Sequence, residues 1–248
     1  MAESIVDALE RAFQDVRDEQ LPLSDRLGFI ANRVRELSSD FATAVDRFVE
    51  QLEAAAAGGA APQVGETMPG FLLPDDQGHL VSMAKLLEKG PLAIAFHRGH
   101  WCPYCRLNAA GLAEIQDAIA PVQIVAISAE TGQFTRQMKA EANARFPFLT
   151  DVGNGYALSL NLAVWVPDFM SSMIGGAGWD IPAYQGHDGW ILPIPSVFIV
   201  GQDGVIKARH VDPDYRRRME PSDIIFAAKA AAVALRASAG DSRPVGSA

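Results

Sequence analysis

The chain has 248 residues, 49% of them hydrophobic, which is enough to bury a sizeable core in one domain with an extension or in two small domains. A net charge of -9 repels phosphate backbones and anionic lipid, so nucleic acid and membrane surfaces are excluded as general partners. The first residues carry acid ahead of any apolar segment, and no apolar stretch is long enough to span a bilayer. A cytoplasmic protein is therefore expected.

Residues 1 to about 57 read as helix. Leu27, Ile30, Val34, Leu37, Phe41, Ala44 and Phe48 alternate at spacings of three and four, a heptad-like apolar stripe. Ser24 before Asp25 has the form of an N-cap. The stripe fits either a dimerisation helix or a helix docked on its own domain. The Ala- and Gly-rich run through Pro62 stops the helix, giving an N-terminal extension over residues 1–60.

From Val64 the pattern changes. Short strands are expected at 71–73 and 79–82 around an Asp-Asp-Gln-Gly turn, then a helical turn at 83–88. Leu92 to Phe96 is an apolar run of buried-strand character, followed at once by Cys102 and Cys105 and a helix reaching Ile119. A second buried strand is expected at 122–128, a helix at 131–145, a short strand at 146–150 and a short helix at 155–162. Beyond an insert come a hairpin from Ser196 to Arg209 and a last helix at 221–237. Strands alternating with helices, then a hairpin and a helix, indicate an α/β sandwich with a mixed sheet over residues 61–237. The small, polar residues from Arg236 onward, and 238–248 in particular, read as a flexible tail.

The insert, residues 163–193, follows neither period. It mixes glycines with Trp165, Phe169, Met170, Met173, Trp179 and Trp190. Such a segment forms a lid or partner surface, or packs on the core, and its large aromatics favour packing.

The only two cysteines lie three apart, where a strand ends and a helix begins. A secreted disulfide framework uses more cysteines at wider spacing, so this pair reads as redox chemistry. A thiol attacks as thiolate, and Cys102 at a helix N-terminus faces the positive end of the dipole. Pro103 suits the first helical turn, and Arg98, His100 and Arg106 add positive or polarisable groups. Cys102 is the expected attacking group. Cys105, one turn on, is placed to close a disulfide with it. His97 and His100 with both cysteines have zinc-ligand chemistry, but all four lie within nine residues, and structural zinc sites join two separated pairs. No metal is expected.

Trp101-Cys102-Pro103-Tyr104-Cys105 is similar to the redox motif of thioredoxin-fold proteins, in its glutaredoxin form. The wider sequence resembles peroxiredoxins of the alkyl hydroperoxide reductase/thiol-specific antioxidant superfamily. Five segments carry the likeness: Val64 to Phe71, Gly78 to Met83, Phe96 to Cys105, Phe146 to Asp151, and Pro195 to Val200 with Asp203-Gly204. The resemblance spans about Val64 to Lys229. It implies a thioredoxin-like fold, with a central mixed sheet flanked by helices, and a peroxidatic Cys102. Cys105 would resolve the sulfenic acid as an intramolecular disulfide, and a thioredoxin- or glutathione-type donor would recycle it. Both thiols cycle, so no cofactor is required. A homodimer is the expected assembly.

Peroxiredoxins usually carry threonine three positions before the peroxidatic cysteine; here that position is Gly99, with His100 a substitute hydrogen-bonding group. The resemblance also calls for a later arginine, from Arg209 or the run Arg216, Arg217 and Arg218. Pro195 matches the cis proline that packs beside the reactive disulfide. Two rivals stay open: a thiol-disulfide oxidoreductase of glutaredoxin or thioredoxin type, and a non-catalytic redox sensor that binds a partner through the N-terminal helix and the insert.

Overall fold

The structure, a computed structural model, describes residues 4–240, with side chains to residue 232. The N-terminal stretch is three helices: α1 (Ile5–Arg17), α2 (Leu23–Leu37) and α3 (Ser39–Ala54). The long stripe is therefore broken between Leu37 and Phe41. Ser38 turns out of helix at φ -155°, and its hydroxyl accepts from the Phe41 N–H at 3.1 Å, capping α3. The cap of α2 is not Ser24. Helix α2 begins after Pro22, and the Leu23 and Ser24 amides donate to the Glu220 carboxylate at 2.9 and 2.7 Å. A carboxylate remote in sequence satisfies the open N–H groups and meets the helix dipole.

Strands β1 (Leu72–Pro74) and β2 (Leu80–Ser82) form a small antiparallel ribbon that leads into α4 (Met83–Leu87). The central sheet follows: β3 (Leu92–Phe96), α5 (Pro103–Ile115), β4 (Gln123–Ser128), α6 (Gly132–Glu141), β5 (Phe148–Thr150) and α7 (Gly155–Ser159). The insert contains β6 (Ala163–Trp165), α8 (Asp168–Ala177), α9 (Ile181–Gln185) and β7 (Ile191–Pro193), with β6 and β7 paired antiparallel. The chain returns through β8 (Ser196–Val200) and β9 (Ile206–Val211) to α10 (Pro221–Gly240). Helix α10 runs past the point where the tail was expected to loosen; residues 241–248 lie outside the described residues.

The five-stranded sheet has the order β5-β4-β3-β8-β9. Strands β3, β4 and β5 are parallel, and β8 and β9 are antiparallel to their neighbours. This is the thioredoxin-like mixed sheet flanked by helices. One sheet face packs on β1–β2, α4 and α7. The other shares a single apolar core with α5, the N-terminal helices and the insert.

The stripe is covered within the chain. Leu27, Ile30, Val34, Phe41 and Phe48 are all buried against α5 or the insert. Buried Arg26 ties α2 to Glu114 of α5 at 2.9 Å. In the insert, Met170 and Trp179 are buried, Phe169 lies under the Arg47 guanidinium, and Trp165 is exposed. No helix among the described residues is long and apolar enough to cross a membrane.

Candidate active site

The central strand β3 ends at Phe96, and the chain turns through His97 to Trp101 into α5. Cys102 is the N-cap residue of α5 and Pro103 its first helical residue, where the missing N–H costs nothing. The Cys105 amide donates to the Cys102 carbonyl at 3.0 Å, and the two side chains hydrogen-bond. Both cysteines are reduced and buried.

Two arginines hold the sulfurs. The Arg98 backbone N–H donates to Cys105 Sγ at 3.3 Å, and Arg218 Nη2 lies 3.6 Å from the same sulfur. Both guanidinium groups are buried, and among the described residues neither has a carboxylate within ion-pair distance. Arg98 lies over the Tyr215 ring at 3.8 Å and against Trp101 at 4.9 Å. Arg218 otherwise donates to the backbone carbonyls of Tyr215 and Arg217. A buried cation favours negative charge beside it, and the two thiols lie beside these arginines.

Burial raises both thiols. At Cys105 that effect is outweighed by the hydrogen bond from Cys102 and by the charges of Arg218 and Arg98, and its pKa falls well below the ordinary 9.0. Cys102 is pushed well above it by burial, by the bond it gives Cys105 and by the negative charge there. The negative charge of the reduced pair is thus favoured at Cys105 and disfavoured at Cys102. The sequence places the thiolate on Cys102 through the helix dipole. That sulfur accepts no hydrogen bond from the first-turn amides, and the Arg218 guanidinium lies deeper, 3.6 Å from Cys105 Sγ.

Arg209 is not at this site. Its guanidinium donates to the carbonyls of Ala61 and Pro62, both at 2.8 Å, and pins the linker to β9. Of the later run, Arg216 pairs with Asp46 and Asp214, Arg217 faces Asp212 and Asp214, and Arg218 turns inward to the sulfur. Pro195 is buried but trans; the cis bond among the described residues is Ala120–Pro121. His97 is buried, its Nε2 3.0 Å from Asn108 Oδ1, and burial lowers its pKa.

Gly99 takes φ +148°, and a β-carbon there would lie 2.5 Å from Glu130 Oε1. A side chain at this position has no room beside this carboxylate. Glu130 is fully buried. It accepts from the His100 amide at 2.7 Å and meets His100 Nδ1 at 2.6 Å. His100 stacks on Phe134 and meets Tyr184 edge-on. Glu130 is invisible to motif reading. The signal that finds it is topological: β3 and β4 are parallel neighbours, so the turns leaving their carboxyl ends come together.

Above Cys102 lies a small cavity of about 30 Å³. Arg98, Tyr104 and Tyr215 line it beside Cys102, and Leu9, Phe41 and Trp179 cover it from the N-terminal helices and the insert. Trp179 packs against Trp101 at 5.8 Å and Phe41 at 6.2 Å. Among the described residues no three His, Cys, Asp or Glu side chains converge as a metal site.

A thioredoxin-type sheet that presents a Cys-x-x-Cys pair at a helix N-terminus, with buried arginines at the sulfurs, defines a dithiol oxidoreductase. The chain belongs to the AhpC/TSA family, whose model matches residues 64–209, and this makes it a peroxiredoxin-like thiol peroxidase or oxidoreductase. Comparison with curated proteins finds no match. Among solved structures, the peroxidoxin BcpB of Mycobacterium tuberculosis is similar at 17% identity and a TM-score of 0.53, covering 68% of this chain and 97% of that one. A cysteine-to-serine mutant of the peroxiredoxin 6 of Arenicola marina gives the same identity and score over 68% and 72%. The reduced 2-Cys peroxiredoxin of Plasmodium vivax gives 13% and 0.50 over 68% and 96%. These likenesses are likenesses of fold.

Proposed function

We propose that the protein reduces peroxide through Cys102 and resolves the product through Cys105. The observation that carries this reading is the pair of buried arginines, Arg98 and Arg218, beside a dithiol and with no carboxylate within ion-pair distance among the described residues. Their charge favours a thiolate on the sulfur pair, which a thiol nucleophile requires.

Cys102 faces the cavity, so it meets the peroxide, while Cys105 lies behind it. The Cys102 proton passes to the Cys105 sulfur as Cys102 attacks one peroxide oxygen. The O–O bond breaks, Cys102 becomes a sulfenic acid, and the leaving oxygen departs as hydroxide or alkoxide and takes up a proton. The Cys105 sulfur then attacks Cys102, forming the S–S bond and releasing the second oxygen as water. Two thiols have lost two electrons, and the peroxide has gained them. A thioredoxin- or glutathione-type donor returns the pair to dithiol by exchange.

The small cavity at Cys102, which is only 2% exposed, suits a small oxidant. The test is intact-mass analysis after one equivalent of hydrogen peroxide. The expected product has lost two hydrogens and regains them with a dithiol donor. An unmodified wild-type protein, with oxidation appearing only after long exposure, argues for disulfide exchange instead.

A further inference from the structure

A second, larger space lies outside the cavity over Cys102. It measures about 310 Å³, opens to solvent, and is lined by polar groups including Glu10, His100, Arg106 and Glu141. The two spaces share walls: Leu9, Trp101, Pro103 and Trp179 line both. The outer space is a vestibule, the inner one a chamber, and the partition between them is largely two packed indoles and a leucine.

The chamber's 30 Å³ is room for about two water-sized oxygens. Hydrogen peroxide consists of two such oxygens; an organic hydroperoxide brings a carbon body besides. Nothing around the chamber offers that body a place, since Phe41, Met170, Ile174 and Trp179 are all buried and packed in the same core. The vestibule has the volume for an organic peroxide, but there it faces charge and stops short of the sulfur.

The partition is held from several sides. Arg106 on α5 pairs with Glu10 of α1 at 2.6 Å and with Glu141 of α6, and its guanidinium covers Phe13 at 3.9 Å. That clamp fixes Leu9, the neighbour of Glu10, over the chamber. Trp179 follows α8 and is wedged between Phe41 and Trp101. Leu9 and Phe41 come from α1 and α3, N-terminal to the segment that matches the family model, and Trp179 comes from the insert.

We propose that this partition makes the protein selective for hydrogen peroxide over organic hydroperoxides, with Trp179 and Leu9 as the residues that set the limit. The inference rests on the peroxidase reading above and names its substrate class.

The experiment is stopped-flow oxidation of the reduced protein by hydrogen peroxide and by cumene hydroperoxide, in wild type, Trp179→Ala and Leu9→Ala. Wild type is expected to prefer hydrogen peroxide by about 100-fold, the scale on which a tight pocket discriminates against added carbon. Either truncation joins chamber and vestibule and should shrink that preference to about 10-fold or less by speeding the cumene reaction. The two variants serve each other where one fails to fold. Fast wild-type reaction at equal rates with both peroxides overturns this inference alone, as does a wild-type preference unchanged in the folded variants. Wild-type reaction with both peroxides no faster than free cysteine overturns the peroxidase reading and this inference together.

Discussion

Replacing Arg218 by methionine removes one of the two cations that hold the charge of the cysteine pair while keeping the length and packing of the side chain. Its guanidinium is 3.6 Å from Cys105 Sγ and 8% exposed. Two unit charges at that separation attract by about 1 kcal/mol at the dielectric of water and by about 5 kcal/mol at an effective dielectric near 20. Losing that attraction should move the first proton loss of the dithiol to higher pH. The sign follows from the lowered Cys105 thiol: in wild type the charge on the pair is present at pH values well below 9.0, and reactivity should climb with pH to an early plateau. In Arg218→Met that climb moves to higher pH. The assay is ultraviolet thiolate absorbance of the reduced protein against pH, with the pH profile of the peroxide reaction beside it. Arg209→Met is the control. It removes the bonds to Ala61 and Pro62 and should leave the midpoint in place. A midpoint unchanged in folded Arg218→Met, or moved equally by Arg209→Met, refutes the assignment of the charge to Arg218.

Three further outcomes follow from the same geometry. Gly99→Thr should not restore a peroxiredoxin-like site: positive φ and the clash with Glu130 predict a loss of about 3 kcal/mol or more, read as a lowered denaturant midpoint. Cys105→Ser should slow the first oxidation of Cys102, by removing the sulfur that takes its proton, and should lose resolution, so intact-mass spectra after excess peroxide should gain sulfinate relative to wild type. Glu220→Ala should leave the α2 amides of Leu23 and Ser24 uncapped and cost about 1 kcal/mol by the same denaturation measurement, with little change in peroxide rate.

Much of the scaffold is legible in the sequence because its signals are local. Strand β3 is an unbroken apolar run, β4 has one from Ile124 to Ile127, and the start of α5 is marked by Pro103 after the cysteine. The break between α2 and α3 is hidden, since Leu37, Phe41 and Ala44 continue the three-and-four spacing across it; only the hydroxyl of Ser38 marks the turn. The insert resists reading because its order comes from packing: Trp179 has its place through Phe41 and Trp101, which are distant in sequence. The site divides the same way. Cys102, Cys105 and Arg98 sit in one motif. The choice of Arg218 over Arg209 depends on which side of the chain after β9 faces inward, and Glu130 reaches Gly99 only through strand pairing. Family likeness marked Gly99 as a departure, and only the packed carboxylate explains it.

The central claim is that Cys102 is a peroxide-reactive sulfur activated by a charge shared with Cys105. The most direct test is stopped-flow fluorescence of the reduced protein mixed with hydrogen peroxide, reported by Trp101 and Trp179, with Cys102→Ser as control. The expected result is a phase whose rate rises linearly with peroxide, exceeds that of free cysteine by about 100-fold or more, the scale general acid–base assistance supplies, and vanishes in Cys102→Ser. A rate no greater than that of free cysteine would contradict the claim and turn the same site toward disulfide exchange.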